Sequence, residues 1–314
     1  MISNFLDRPD TMRKPTLALE YSFGRRTGGL GQGIQKQICN VWELGSLSNS
    51  QSLINVPIKS HGLMNFAAVI VLNLQHPDRL WSDLEASLNG LKQGISSHQT
   101  SELTEKLRQN AVNRVGMDHP DLSTLELFAL PTVIVGGFYD KFQDFGELDS
   151  IGDLDFSCWN IVFADPAIKK HVGRCLRSIA HTLGAALIYH SSQHSSLSKT
   201  LRDTFSHFGF NSPSKPFRTV ATDYNEPLII WFGQDSWQQI GVGPSNSERI
   251  AVTYNKQIPQ VESDSVALPA DPAKDINFRE AVIDELRVQK DEELLRLIKE
   301  SDIRSKFQSV SMLN

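Results

Sequence analysis

Three short runs of uninterrupted apolar residues constrain this chain more than anything else in it. Phe66 to Leu74 reads FAAVIVLNL, Thr132 to Gly136 reads TVIVG, and Ala185 to Tyr189 reads AALIY. A strand with one wet face alternates apolar and polar residues, whereas a strand covered on both faces need not, so runs of this kind suit a parallel sheet with helices on either side. The intervening segments carry helical spacing. Leu80, Leu84, Leu88, Leu91 and Ile95 recur at three- and four-residue intervals behind Pro77, whose missing N–H costs nothing in a first turn. Leu103, Leu107 and Ala111 continue the stripe, and Ile168 to Leu183 and Leu197 to Phe208 supply two more helices.

Ahead of the first run, Thr16 to Phe23 (TLALEYSF) alternates with the period of a strand, and Gln37 to Leu44 (QICNVWEL) reads as another. The glycine-rich stretch from Gly24 to Gly33 joins them as the long loop of a hairpin. The order strand, strand, strand, helix, strand, helix, strand, helix predicts a doubly wound α/β sheet with one antiparallel edge hairpin. It is the pattern of a P-loop GTPase-like domain that lacks its first strand and phosphate loop. Residues 1–241 are expected to form this domain. Residues 242–276, with Pro244, Pro259, Pro269 and Pro272, read as a linker or extended arm. Residues 277–305 hold a C-terminal amphipathic helix, with Ile283, Leu286, Leu294, Leu297 and Ile298 on one narrow stripe of the charge-rich segment Phe278 to Lys299.

Composition narrows the function classes. With 40% hydrophobic and 21% charged residues in 314, the chain has globular usage and can bury a core. A net charge of −5 offers no basic footprint for a phosphate backbone, which argues against nucleic acid as a partner. No apolar run reaches membrane-spanning length, and MISNFLDRPDTMRK has no apolar core before a cleavage site, so a cytoplasmic chain without membrane insertion is expected. Cys39, Cys158 and Cys175, far apart and without CxxC spacing, read as free thiols in a reducing compartment.

The sheet pattern asks where a nucleotide would bind, and the motifs do not answer. A phosphate-binding loop needs G-x-x-x-x-G-K-[ST], so that backbone N–H groups and the lysine meet phosphates while the hydroxyl meets magnesium; no such string occurs. Three vestigial positions remain. Thr16 opens a strand where a magnesium-facing threonine belongs. Glu43, in Trp42-Glu43-Leu44-Gly45, stands one residue out of Asp-x-x-Gly spacing. Asp140 alone survives of a guanine-reading Asn-Lys-x-Asp after the TVIVG strand. His190 and His194 lie four apart but in a serine-rich loop, HSSQHSS, without a further ligand nearby. Asp153 and Asp155 have no neighbour to shift them into an acid–base pair. Catalytic residues, metal and cofactor are therefore all expected to be absent.

Six segments, KPTLALEYSFGRR (Lys14 to Arg26), VWELG (Val41 to Gly45), FYDKFQDF (Phe138 to Phe145), RCLRSIAHTLGAAL (Arg174 to Leu187), GQDSWQQIG (Gly233 to Gly241) and DPAKDINFREAVIDELRVQKDEEL (Asp271 to Leu294), together resemble the light intermediate chains of cytoplasmic dynein-2. The resemblance implies a non-catalytic motor subunit that binds and stabilises the heavy-chain tail beside the other dynein-2 subunits. It places the chain in the cytoplasm and cytoskeleton and at the cilium, from ciliary base to axoneme, in retrograde intraflagellar transport and cilium assembly. The alternatives are a free-standing adaptor and a GTPase-like switch protein. Two departures from the family stand out. The segment Gly146 to Val172 is longer than its counterpart, and only MISNFLDRPDTMR precedes the Lys14 to Arg26 block. The first strand of such a domain lies centrally, so its absence leaves buried amides without partners at about 1–3 kcal/mol each. Met1 is accordingly expected to be an internal methionine of a longer protein or the start of a shorter isoform.

Overall fold

The structure is a computed structural model that describes residues 1–7, 16, 18–28, 35–45, 51–143, 166–210, 216, 219–261 and 280–311. Among these, the strands form two separate sheets. β1 (Leu19–Gly28) and β2 (Gln35–Leu44) pair antiparallel, from Leu19 opposite Leu44 to Gly28 opposite Gln35. β3 (Ala68–Asn73), β4 (Thr132–Gly137), β5 (Ala186–Tyr189) and β6 (Ile229–Ile230) form the other in that order, the first three parallel and β6 antiparallel to β5.

Every residue of β4 and β5 is buried, which is why their sequences do not alternate. Ile134 and Leu187 enter the larger apolar cluster with α3 (Pro77–Ser96) and α6 (Pro166–Leu183). Val133, Val135, Ala186 and Ile188 enter a second, with Leu201 of α7 (Ser195–Gly209), Trp231 and Phe232. The two-period of a strand sends successive residues to opposite faces, so two clusters mean two covered faces. β3 departs from the expectation drawn from its apolar run. Ile70 and Leu72 are buried, but Val71 is 54% exposed, so one face of this strand is left partly open.

The hairpin is not the edge of the main sheet. Its ten-residue strands pair with each other alone among the described strands, and the ladder runs through Gly24–Gly28, so half of the stretch expected as loop is strand. It attaches through side chains instead. A Cβ on Gly209 of α7 would lie 2.4 Å from the Cys39 sulfur, and one on Gly24 would lie 3.1 Å from Leu6, just beyond α1 (Ile2–Phe5). These glycines allow the hairpin to approach closely.

Residues 242–263 of the segment expected as a linker, 242–276, fall within the domain's compact unit, and the remainder falls in the second. α8 (Trp237–Ile240) and α9 (Ser247–Gln257) stand between Gly233 and Val261, and the compact unit extends to Ser263. Asn246 caps α9 by accepting the Arg249 N–H at 3.0 Å. Tyr254 is fully buried, stacks on Trp81 at 5.1 Å and donates its hydroxyl to the Pro77 carbonyl at 2.8 Å. Pro244 and Pro259 flank this helix rather than interrupt it. α9 packs over α6 and α3, so α6 has protein on nearly every side, including at His171, Arg177, Ser178, His181 and Thr182.

α2 (Asn55–His61) and α4 (Ser101–Val115) complete the domain, α4 with Thr100 as its cap. α10 (Ala281–Ser311) belongs to a second unit, Asp264–Asn314, and its Ile283, Leu286, Leu294, Leu297 and Ile298 are 48–58% exposed. No described helix is long and apolar enough to cross a membrane.

Two glycines test the packing. Gly233 and Gly241 both have positive φ, +63° and +78°, but a Cβ on Gly233 would lie 2.1 Å from the Val115 carbonyl oxygen while one on Gly241 meets nothing within 4 Å. Gly241→Ala is expected to cost about 1–2 kcal/mol for the left-handed backbone alone. Gly233→Ala adds a clash with backbone, for a total of about 2–5 kcal/mol. Urea midpoints at unchanged slope are the measurement.

Candidate functional site

Open α/β sheets bind ligands outside the carboxyl ends of their strands, so that edge comes first. β4 ends at Gly137, and Phe138, at φ +59° and half exposed, turns the chain into α5 (Tyr139–Gln143). The strand ends are laced together: Leu74 N–H donates to the Gly137 carbonyl at 3.1 Å, His190 N–H to Gly136 at 2.7 Å, and Tyr139 N–H to His190 at 3.0 Å. Asp140 accepts the Ser191 hydroxyl at 2.7 Å. The Met1 side chain lies over Gly137, 3.5 Å from where a Cβ would stand. Below this edge the Tyr189 hydroxyl and His190 Nδ1 are buried with no hydrogen-bond partner among the described residues. Burial pushes Tyr189 far above the ordinary phenol range.

The three vestigial positions are not assembled into one site. Asp140 stands at the main sheet with its carboxylate engaged by Ser191. Thr16 and Glu43 belong to the hairpin region, where the Thr16 hydroxyl donates to Glu20 at 3.1 Å and Glu43 lies directly across the ladder from Glu20. Two carboxylates opposed on one face of a ladder repel. His190 and His194 separate as well. His190 and Ser191 are buried rather than part of a solvated loop, while His194 is exposed at the start of α7. Asp153, Asp155 and Cys158 lie outside the described residues, as does 146–165 of the long segment, whose remainder opens α6.

At the amino edge of the sheet the sequence reading missed the densest polar network. Arg177, 1% exposed, forks onto Asp235, Nε to Oδ2 at 2.9 Å and Nη2 to Oδ1 at 2.7 Å, and its Nη1 donates to the Thr222 carbonyl. Its guanidinium lies over the Tyr224 ring at 5.2 Å. Beside it, Asp121 Oδ2 accepts both His181 Nε2 at 3.0 Å and the Trp237 N–H at 2.9 Å. The cavity between these groups is about 10 Å³, room for no ligand larger than water. The partners are 58 and 60 residues apart in sequence. No spacing rule reaches across such distances; the only local signal was the GQDSWQQIG segment itself, in which Ser236 caps α8.

His119, Asp121 and His181 each offer a ligand atom within 4.8 Å of the others, the one group of described residues that could hold a metal. Both ring nitrogens of His119, Nε2 of His181 and Oδ2 of Asp121 already carry hydrogen bonds. A carbonyl only accepts, so His119 Nε2 carries a proton toward Asp235 at 2.9 Å, and its Nδ1 accepts the Asp121 N–H at 3.2 Å. An ion would have to break these bonds, and the set reads as a structural tie between the loop after α4, α6 and α8. Asp121→Asn is expected to destabilise by about 1–3 kcal/mol by leaving donors without acceptors, while a chelator leaves the melting temperature of the parent chain unchanged.

The histidines also set a pH dependence. Burial, as the first cause, holds the pKa of His171, His181 and His190 below the usual 6.5. The folded chain keeps them neutral while the unfolded chain takes up protons. Their contribution is complete above pH 6.5 and is lost as pH falls through and below it, at up to about 1.4 kcal/mol per pH unit for each excluded proton. Urea midpoints between pH 7.5 and 5.5 should therefore fall with acidification.

No protein-family model matches the chain. Cytoplasmic dynein 2 light intermediate chain 1 of Bos taurus is 34% identical to it over 312 residues, which span 94% of this chain and 82% of that protein. The Homo sapiens protein of the same name is 32% identical with the same coverage, and that of Danio rerio 30% over 315 residues, 94% and 80% of the two chains. A crystal structure of the conserved domain of the dynein light intermediate chain superposes with a TM-score of 0.55 at 15% identity, covering 85% of this chain and 90% of that one, a likeness of fold. With this identity sustained along nearly its whole length, the chain belongs to the cytoplasmic dynein 2 light intermediate chain family.

Proposed function

We propose that this chain is a non-catalytic subunit of the dynein-2 motor. In this reading it binds and stabilises the heavy-chain tail in the cytoplasm and at the cilium and serves retrograde intraflagellar transport. The observation that carries the reading is the 34% identity over 94% of the chain to a protein named as a dynein-2 light intermediate chain. The absence of catalysis is supported by the missing phosphate-loop string and by the commitment of Asp140 and Thr16 to neighbouring side chains. Phosphate affinity in such sites comes from loop amides and a lysine, which a lone threonine and aspartate do not replace.

A second reading, a free-standing adaptor, draws on the exposed apolar residues of α10. The heavy chain distinguishes the two. A subunit is expected to stay with it through salt and gel filtration, whereas an adaptor exchanges. Replacing Leu286 and Leu294 together by Asp should weaken heavy-chain copurification if α10 docks there, and unchanged copurification of the folded variant assigns the helix to another contact. Titration with magnesium and GTP should give no measurable heat; a dissociation constant below about 10 μM, about −7 kcal/mol, overturns the non-nucleotide reading.

A further inference from the structure

The hairpin carries an inverted pattern for a strand pair whose only task is to cover a core. Along β1 the buried residue is Ser22, while Tyr21 and Phe23 on either side of it are 48% and 40% exposed. β2 repeats the arrangement, with Cys39 turned in and Ile38 60% exposed. Pairing gathers the outward residues on one face, Tyr21, Phe23 and Arg25 of β1 opposite Trp42, Asn40 and Ile38 of β2. The rings are held in order. Tyr21 packs on Trp42 at 4.8 Å and on Phe23 at 6.3 Å, its hydroxyl donates to Asn40 at 2.8 Å, and Arg25 lies over the Phe23 ring at 5.0 Å. A contiguous apolar row turned to water marks a contact surface.

The register also decides which backbone groups are free. The Gly45 N–H donates to the Ala18 carbonyl at 2.9 Å, so these two residues form a hydrogen-bonded pair, and by alternation so do Glu20 with Glu43, Ser22 with Val41 and Gly24 with Cys39. Tyr21, Phe23 and Arg25 fall in the pairs between. Their N–H and C=O groups point away from β2, and no described residue meets them there. The residues that carry the rings are thus the residues with unpaired amides. The outer edge of β6, by contrast, is two residues long and is met by Ala221. The hairpin leans on α7 chiefly through β2, and Trp42 of β2 stands against His61 of α2 at 6.2 Å, which leaves β1 as the open edge.

We propose that the outer edge of β1 takes up an extended segment of a partner polypeptide as a third strand, with apolar side chains beside Tyr21 and Phe23 and a carboxylate beside Arg25. Main-chain bonds to alternate residues are what an extended chain offers and what a helix, with its amides spent internally, does not. Charge selects the acidic position. Arg25 and Lys36 are the charged residues of the outer face, Glu20 and Glu43 fall on the other, and Arg25 has no carboxylate partner among the described residues. Since side chains on one face recur at every second residue, an antiparallel strand carries its acidic residue first and its apolar residues at the next two alternate positions. The partner need not be the heavy chain.

Fluorescence anisotropy with the full chain tests this, using a fluorescein-labelled peptide in which Glu, Val and Val alternate with Thr, and the same peptide with Lys in place of Glu. The Glu peptide is expected to bind the more tightly. N-methylation of its Glu and Val amides, which would face β1, should abolish binding, whereas N-methylation of the intervening Thr amides should change it by no more than about twofold. Tyr21→Thr with Phe23→Thr, both exposed, should weaken binding about tenfold or more. Arg25→Glu should shift the preference toward the Lys peptide by about twofold to fivefold, a gain that misfolding cannot produce. No binding, equal loss from the two methylation patterns, equal binding of the two peptides, unchanged affinity in the double variant or an unshifted preference in Arg25→Glu overturns the proposal. So does sedimentation of the chain alone as a dimer that the double variant dissociates, which gives the edge to a second copy.

Discussion

The buried pairing of Arg177 with Asp235 is the interaction on which the arrangement of this domain depends. α6 lies against β5 and is covered from outside by α9, so its polar residues face protein rather than water. A guanidinium at 1% exposure needs all its donors met, and removing one partner of such a pair costs about 3–5 kcal/mol. Asp235 must therefore come to α6, and it brings Gly233, Ser236 and α8 with it. Gly233 then passes so close to the Val115 carbonyl that only a glycine fits. Trp237 follows, its N–H on Asp121 and its indole N–H on Thr124, which fixes the loop after α4. One helix position thus organises three connections at the amino edge of the sheet.

The opposite edge is built differently. There the strand ends are tied by backbone hydrogen bonds, and the one carboxylate of interest, Asp140, is held by Ser191. Asp140 and Ser191 serve each other here, while the Tyr189 hydroxyl and His190 Nδ1 below them are buried without a hydrogen-bond partner among the described residues. Phe138, in the left-handed region, marks a turn that needs surrounding structure to hold it. Glu43 lies in the separate hairpin sheet and Thr16 just ahead of it, apart from Asp140 at the main sheet.

Much of this fold is legible in sequence because burial leaves a period. β4 and β5 read as continuous apolar runs because both faces are covered, and α3 reads as a stripe because one face is. Where no period exists the reading fails. β6 has two residues, too few to show alternation, and α9 is short, proline-flanked and buries chiefly Ile250 and Tyr254. The apolar run of β3 predicted two covered faces, but composition does not say which neighbour is present, and Val71 is open. Site chemistry was less legible still. Arg177 with Asp235, His181 with Asp121 and Ser191 with Asp140 are each more than fifty residues apart, brought together only by the path of the chain.

The separation of Met1–Ser263 from Asp264–Asn314 also decides what a spectroscopist sees. All five tryptophans, Trp42, Trp81, Trp159, Trp231 and Trp237, precede Ser263. α10 has none. A helix of its 31 residues is about 46 Å long and contributes heavily to far-ultraviolet dichroism, yet its described side chains are wet and its internal ion pairs, Lys290 with Glu293 and Arg296 with Glu300, hold little against heat. Indole emission therefore reports the domain while ellipticity sums two units. A mismatch between the two signals is a property of chain layout, and only the emission trace reads the folding equilibrium of the α/β core.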